Sequence, residues 1–297
     1  MGFSSHDDLI TEITTNGKFW RADWNKITGG SAYTAGRWYD LSMVGGHPIA
    51  NAWAGTALTY VACDESTGNG TQIFGLRNGG NVSTDTKHVL NVAAVTGVAT
   101  GVPSVLMLVD MCGYWNGISL NSASAQTLSG TPSLRYTNGV GVRAYMVPYS
   151  GTVGATAHNF NCSYTDQDGN TGNTMPVTVA CTASAIVGHI THSGTAANNY
   201  GPFVPLASGD YGIRNVASVT MSASSAGTSP LAALVLCRPI LTLPLTTVSV
   251  GAERDLLNQL PSLPKIPDGA CLTWLLFTGA ATAASTNFYG SVDFGWG

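Results

Sequence analysis

From Gly36 onward the chain is a succession of short apolar runs divided by glycine- and asparagine-rich turns, and that alternation restricts it to sheet architectures. The runs are ALTYVAC (57–63), SVLMLVDMC (104–112), GVRAYMVP (141–148), PVTVAC (176–181), VASVTM (216–221), LAALVLC (231–237) and CLTWLLF (271–277). Val, Leu, Thr and aromatic residues dominate them, and such side chains fit a pleated, half-buried surface. Between them lie the turn signals Asn78-Gly79-Gly80, Asn116-Gly117, Asn138-Gly139, Asp168-Gly169 and Ala226-Gly227, where residues that accept positive φ gather. Several runs are almost wholly apolar, as strands buried on both faces must be. The expected fold is mainly β: a β-sandwich or jelly-roll-like body. The 297 residues suffice for one large core or two smaller ones. Residues 36–150 and 151–297 read as two β-rich subdomains or one continuous sandwich, and the runs 104–112 and 231–237 would hold equivalent places in them.

Two segments depart from this pattern. Ser5 is placed to cap a short helix, Asp7 and Asp8 sit at its positive end, and Leu9, Ile10 and Ile13 form its apolar stripe. After the turn Asn16-Gly17 comes KFWRADWNKI, in which Phe19, Trp20 and Trp24 are interleaved with Lys18, Arg21 and Lys26. Aromatics and Arg dominate interface energetics, so residues 1–35 read as a docking arm with Leu9, Ile13, Phe19, Trp20, Arg21 and Trp24 as its contacts. The alternative is that this segment packs on its own body. Late in the chain, Gly251 to Leu260 reads as a short helix with Leu256, Leu257 and Leu260 on one face, followed by the proline-stiffened connector PSLPKIPDG.

Charge is scarce. The chain is 44% hydrophobic but only 9% charged, against roughly a quarter in typical soluble domains. A surface so poor in charge either hides against partners or is coated with Gly, Thr, Ser and Asn. The 12 basic residues are scattered and the net charge is −4, which speaks against nucleic acid as a ligand, because phosphate binding needs clustered cations. The N-terminal MGFSSHDDLI lacks a basic n-region followed by an apolar h-region, so an intracellular start is expected. The apolar stretch from Pro230 to Val250 is interrupted by Arg238 and prolines, and no membrane span is expected. The six cysteines, Cys63, Cys112, Cys162, Cys181, Cys237 and Cys271, form no CxxC pair and read as buried free thiols.

Reactive clusters are few. His189 and His192 are three residues apart, a spacing that points to opposite faces in an extended chain and argues against a shared metal. Asp166-Gln-Asp-Gly-Asn resembles the middle of a calcium loop, but that register would need acids where Tyr164 and Met175 stand. A turn at Asp168-Gly169 explains it better. Asp110 is the one acid inside an apolar run, expected to cap a strand end or to bond backbone near Gly113. The chain shows no GxSxG elbow, no paired carboxylates and no phosphate loop. The expectation is no enzyme, no metal and no cofactor. A receptor- or carbohydrate-binding role, with Trp38, Tyr39, Trp115 and Tyr200 as an exposed platform, is the competing reading.

The blocks DDLITEITTNGKFWRADWNKITG (7–29), AGRWYDLSMVGGHPIANAWAGTAL (35–58), GGNVSTDTKHVLN (79–91) and NCSYTDQDGNTG (161–172) resemble tailed-bacteriophage virion proteins encoded near the major capsid protein. The resemblance implies a head decoration or cement subunit, or a minor capsid component, located in the virion. Its partners would be the major capsid protein and copies of itself, as a homotrimer. On this reading, removing residues 1–30 would abolish capsid binding and leave the β body folded.

Overall fold

The computed structural model describes residues 2–66, 68–69, 72–194, 197–259 and 263–297. The fold is mainly β, as expected: among the described residues three larger antiparallel sheets form the body, and a two-stranded sheet pairs Gly68–Asn69 with Gln72–Ile73. The longest strands are the apolar runs extended beyond their sequence limits: β4 spans Ser104–Ser119 and β8 spans Thr228–Leu245. They pair with each other from Leu231↔Ser119 to Leu245↔Ser104. The runs 104–112 and 231–237 are therefore neighbours in one sheet, not equivalents in two subdomains.

This central sheet has the order β5–β8–β4–β10–β2, with β5 at Arg143–Thr152, β10 at Leu272–Thr278 and β2 at Arg37–Asp40. Tyr60–Ala62 also pairs with β4. β5 follows β8 only between Thr228 and Cys237. Pro239 and Pro244 of β8 thus lie where it has one neighbour, which is where a strand tolerates residues without an N–H.

The second sheet collects both ends of the chain. Its order is β9–β3–β11–β1, with β1 at Phe19–Ile27, β3 at Lys87–Val95, β9 at Ala252–Asp255 and β11 at Asn287–Trp296. Short strands at Gly46–His47 and Lys265–Ile266 join β1 and β3. The third sheet is built on β6 (His158–Asp166) and β7 (Ile213–Met221). No boundary falls near residue 150, because the first two sheets draw strands from both halves.

Three cores follow. Leu106, Leu108, Leu243, Leu272 and Trp274 of the central sheet pack against Trp24, Val89, Val92, Phe288 and Phe294 of the second. Further along, Trp115, Ile118, Ala144, Leu234 and Leu236 pack against Phe160, Tyr164, Val216 and Val219 of the third. The opposite side of the central sheet, with Met111, Tyr114, Tyr145 and Val235, is covered by Trp53, Phe74 and Ile190. A run buried on both faces is what the unbroken apolar sequences required.

Helix α1 forms at His6–Thr14, and the Ser5 side chain accepts from the Asp8 amide at 3.1 Å, the cap read from the sequence. The late helix needs correction. Ala252–Asp255 is the edge strand β9, and only Leu256–Gln259 is helical (α2); Leu260 lies outside the described residues. Pairing with β3 prevails over helix propensity there: Glu253 accepts from Asn91 of β3 at 2.8 Å, and Arg254 donates to the Thr242 carbonyl of the central sheet at 3.0 Å.

Candidate functional site

The six residues expected to form a docking arm have different fates. β1 runs beside β11 along its whole length, from Phe19↔Gly295 to Ile27↔Asn287, so residues 1–35 are not an appendage. Trp24 is buried and packs on Trp274 with ring centroids 4.9 Å apart. Leu9 is buried under α1, and Ile13 reaches Gly295 of β11. Arg21 forms a two-pronged pair with Asp293 at 2.7 and 2.8 Å. These four serve the chain's own packing. Lys26, read as a polar member of the arm, is buried instead, its ammonium donating to the Pro48 carbonyl at 2.6 Å; burial lowers its pKa to about 8.

Phe19 and Trp20 remain exposed, at 38% and 40%. The Trp20 indole N–H donates to the Arg77 carbonyl at 3.0 Å, which fixes the ring. Trp20 and the half-buried Trp296 both border Gly79. On its other side β1 meets Gly46–His47 only at Asn25 and Lys26, so among the described residues the stretch from Phe19 to Trp24 has no strand beyond it. The result is an open sheet edge with two exposed aromatics at one end, of which Trp20 is held by the Arg77 carbonyl.

Asp110 is a densely connected polar group of the interior. It is fully buried on β4, between the two large cores. Its oxygens accept from Arg135 Nε and Nη2 at 2.8 and 2.7 Å, from the Tyr136 hydroxyl at 2.9 Å and from the Cys271 amide at 2.9 Å. Arg135 also donates to the carbonyls of Cys63 and Met111, both at 2.9 Å. A four-donor carboxylate is a fastener, not the strand cap expected from the sequence. Arg135 was legible in principle: a lone acid in an apolar strand requires a cation, and Arg135 and Arg143 are the only basic residues between 89 and 209.

His189 and His192 are fully buried on separate partners. His189 leans on Tyr39 and points Nε2 at the Ser193 carbonyl at 3.0 Å. His192 packs against Phe160, bonds the Tyr200 carbonyl through Nδ1, and accepts from the Met146 amide through Nε2. Burial drives their pKa values down to about 3 and about 4. Asp166 sits at the turn expected there. Burial raises its pKa, but donors from Asp168, Asn170 and Asn173 outweigh that and hold it below the usual carboxylate range. All six cysteines are free and buried, and burial pushes the Cys162 and Cys181 thiols up to about 12. Among the described residues no group of three or more His, Cys, Asp or Glu is placed to hold a metal, and no helix is long and apolar enough to cross a membrane. The platform of the competing reading does not assemble, because Tyr39 and Trp115 are buried.

No protein-family model and no curated protein matches the chain. Among solved structures it is similar to the VP2 subviral particle of infectious bursal disease virus, at 9% identity over 96% of this chain and 86% of that chain, with a TM-score of 0.17. A structure of the Gx strain of the same virus aligns at 8% identity over 97% and 85% of the two chains, with a TM-score of 0.21. Scores this low are a weak likeness to viral particle proteins and carry no argument about fold or function.

Proposed function

We propose that the protein is a non-enzymatic structural component of a tailed-phage virion, bound to the outer capsid shell as a decoration or cement subunit. The blocks quoted above suggest the setting, and the major capsid protein and sister copies in a homotrimer are the partners. One observation carries the reading: a chain with 9% charged residues presents an open sheet edge whose end holds two large exposed aromatics, Phe19 and Trp20, the second oriented by its bond to the Arg77 carbonyl. Fixed aromatics lose little entropy on docking and are the usual anchors of tight interfaces.

The β1 pairing changes the test. Deleting residues 1–30 would remove a strand from a sheet core, so loss of binding would report unfolding. The informative variant is Phe19→Ser with Trp20→Ser, made in the full chain. Wild-type protein should co-sediment with expanded capsids that lack it, and the double variant should bind about 100-fold more weakly, as loss of a hot spot does. Near-ultraviolet circular dichroism of the buried tryptophans checks that the variant is folded. Wild-type protein that stays monomeric in the supernatant, or is absent from purified virions by mass spectrometry, would overturn the proposal.

A further inference from the structure

A cavity of about 500 Å³ lies at the junction of the two large cores. Its floor is Arg238 on β8, which stands opposite Asp110 across the β4–β8 ladder. One wall is the segment from Arg135 to Val140, and the other is Lys265 and Pro267 beside β3. Arg135, Arg238 and Lys265 are three of the chain's 12 basic residues, and among the described residues no acid lines the cavity.

The carboxylate opposite Arg238 across the ladder is already committed. Asp110 accepts both prongs of Arg135 as well as the Tyr136 hydroxyl and the Cys271 amide. Arg238 lies over the Tyr136 ring, 4.4 Å from its centroid. Among the described residues neither Arg238 nor Lys265 forms a salt bridge or a side-chain hydrogen bond. A guanidinium stacked on a ring keeps its in-plane N–H edges free, and those edges match a carboxylate in a two-pronged bond. Thr137 and Asn138 at the rim also have side chains with no hydrogen bond inside the chain, among the described residues. Val140, Pro267 and the Tyr136 ring supply an apolar wall. The lining residues themselves carry three cations and no acid in a chain whose net charge is −4.

We propose that this cavity is a receptor for a carboxylate on a short aliphatic stem, the chemistry of a glutamate side chain or of a free dicarboxylic acid. Arg238 grips the carboxylate, Lys265 adds charge at the rim, and the apolar wall seats the stem. The volume falls in the range of sites that enclose a small ligand. The assignment stands apart from the capsid reading, because it needs no partner at β1.

Isothermal titration of the full chain at low ionic strength tests it, with glutarate, a tetraglutamate peptide and inorganic phosphate as probes. Saturable binding of glutarate or of the peptide is expected, and whichever binds more tightly identifies the source as free or peptide-borne. Arg238→Gln should weaken binding about tenfold or more, as loss of a charged hydrogen bond does, and Lys265→Gln should weaken it less. Arg254→Gln, on the Thr242 carbonyl away from the cavity, should leave it unchanged. If Arg238→Gln fails to fold, Lys265→Glu, which alters an exposed side chain, carries the test and should abolish binding. Absence of binding by both carboxylate probes, undiminished binding in the folded variants, or phosphate bound as tightly as the carboxylates would overturn the proposal.

Discussion

His192 is held between a carbonyl and an amide: Nδ1 donates to Tyr200 while Nε2 accepts from Met146. A second proton would set an N–H against an N–H in a site with no water access. His189 is equally enclosed, and Arg37 adds repulsion to the burial that keeps it neutral. Both folded pKa values, about 3 and about 4, lie below the ordinary 6.5. The unfolded chain therefore binds more protons between these values, and the contribution to stability is full above pH 6.5 and is lost as pH falls. Two such groups give a slope of about 2.7 kcal/mol per pH unit between roughly pH 6 and 4. His192→Gln should remove about half of that slope in chemical denaturation measured across this range; an unchanged slope would show that the imidazole is not the linked group. The Asp110–Arg135 pair makes a second test at this scale. Asp110→Asn leaves a buried guanidinium uncompensated and should cost about 3–5 kcal/mol. Asp110→Leu combined with Arg135→Met should recover much of it. A double-mutant cycle with no coupling would contradict the fastening role.

At the level of elements, the sequence was most legible where one residue pattern had one structural answer. The apolar runs became strands, Ser5 capped α1 and Asp168-Gly169 made a turn, because each rests on local geometry. Legibility failed where a distant partner decided. Asn116-Gly117 has the composition of a hairpin turn, yet it lies inside β4, at a register shift between Leu234↔Trp115 and Ala232↔Ile118. Gly117 supplies φ +74° for a bulge there, and Asn116 donates to the Trp53 carbonyl at 2.7 Å. A Cβ at Gly117 would come within 2.5 Å of Ala57 Cβ. Gly117→Ala should thus cost more than 1 kcal/mol through strain and clash together, read from the denaturation midpoint; a neutral result would mean that the bulge can relax. The same dependence on distant partners hid the place of β1. KFWRADWNKI looks amphipathic on its own, but β11 opposite it is some 270 residues away, and only that pairing shows which aromatics face inward. Of the candidate interface, Phe19 and Trp20 were read from the right segment, while the cluster around Arg238 was missed because its members lie on three separate pieces of chain.

At the scale of the whole molecule, β4 and β8 join what would otherwise be two domains. β4 contributes Leu106 and Leu108 to one core and Trp115 and Ile118 to the other, and β8 contributes Leu243 and Leu234 to the same two cores. A boundary between domains is normally a linker crossed by few contacts, whereas here two adjacent strands of 16 and 18 residues run through both cores. Freeing one sandwich would strip the shared strands of half their burial and break the ladder that aligns the other half. Unfolding should therefore be a single transition despite the chain length. Leu108→Ala and Leu234→Ala, in different cores, should each cost about 2–5 kcal/mol and lower the same calorimetric transition, with the calorimetric and van't Hoff enthalpies agreeing. Two separable transitions, each sensitive to one substitution, would show that the shared strands do not couple the cores. Coupling of this kind also bears on the cavity between them: its floor and walls come from both sandwiches, so a ligand bound there should raise the temperature of that one transition, not of half the molecule.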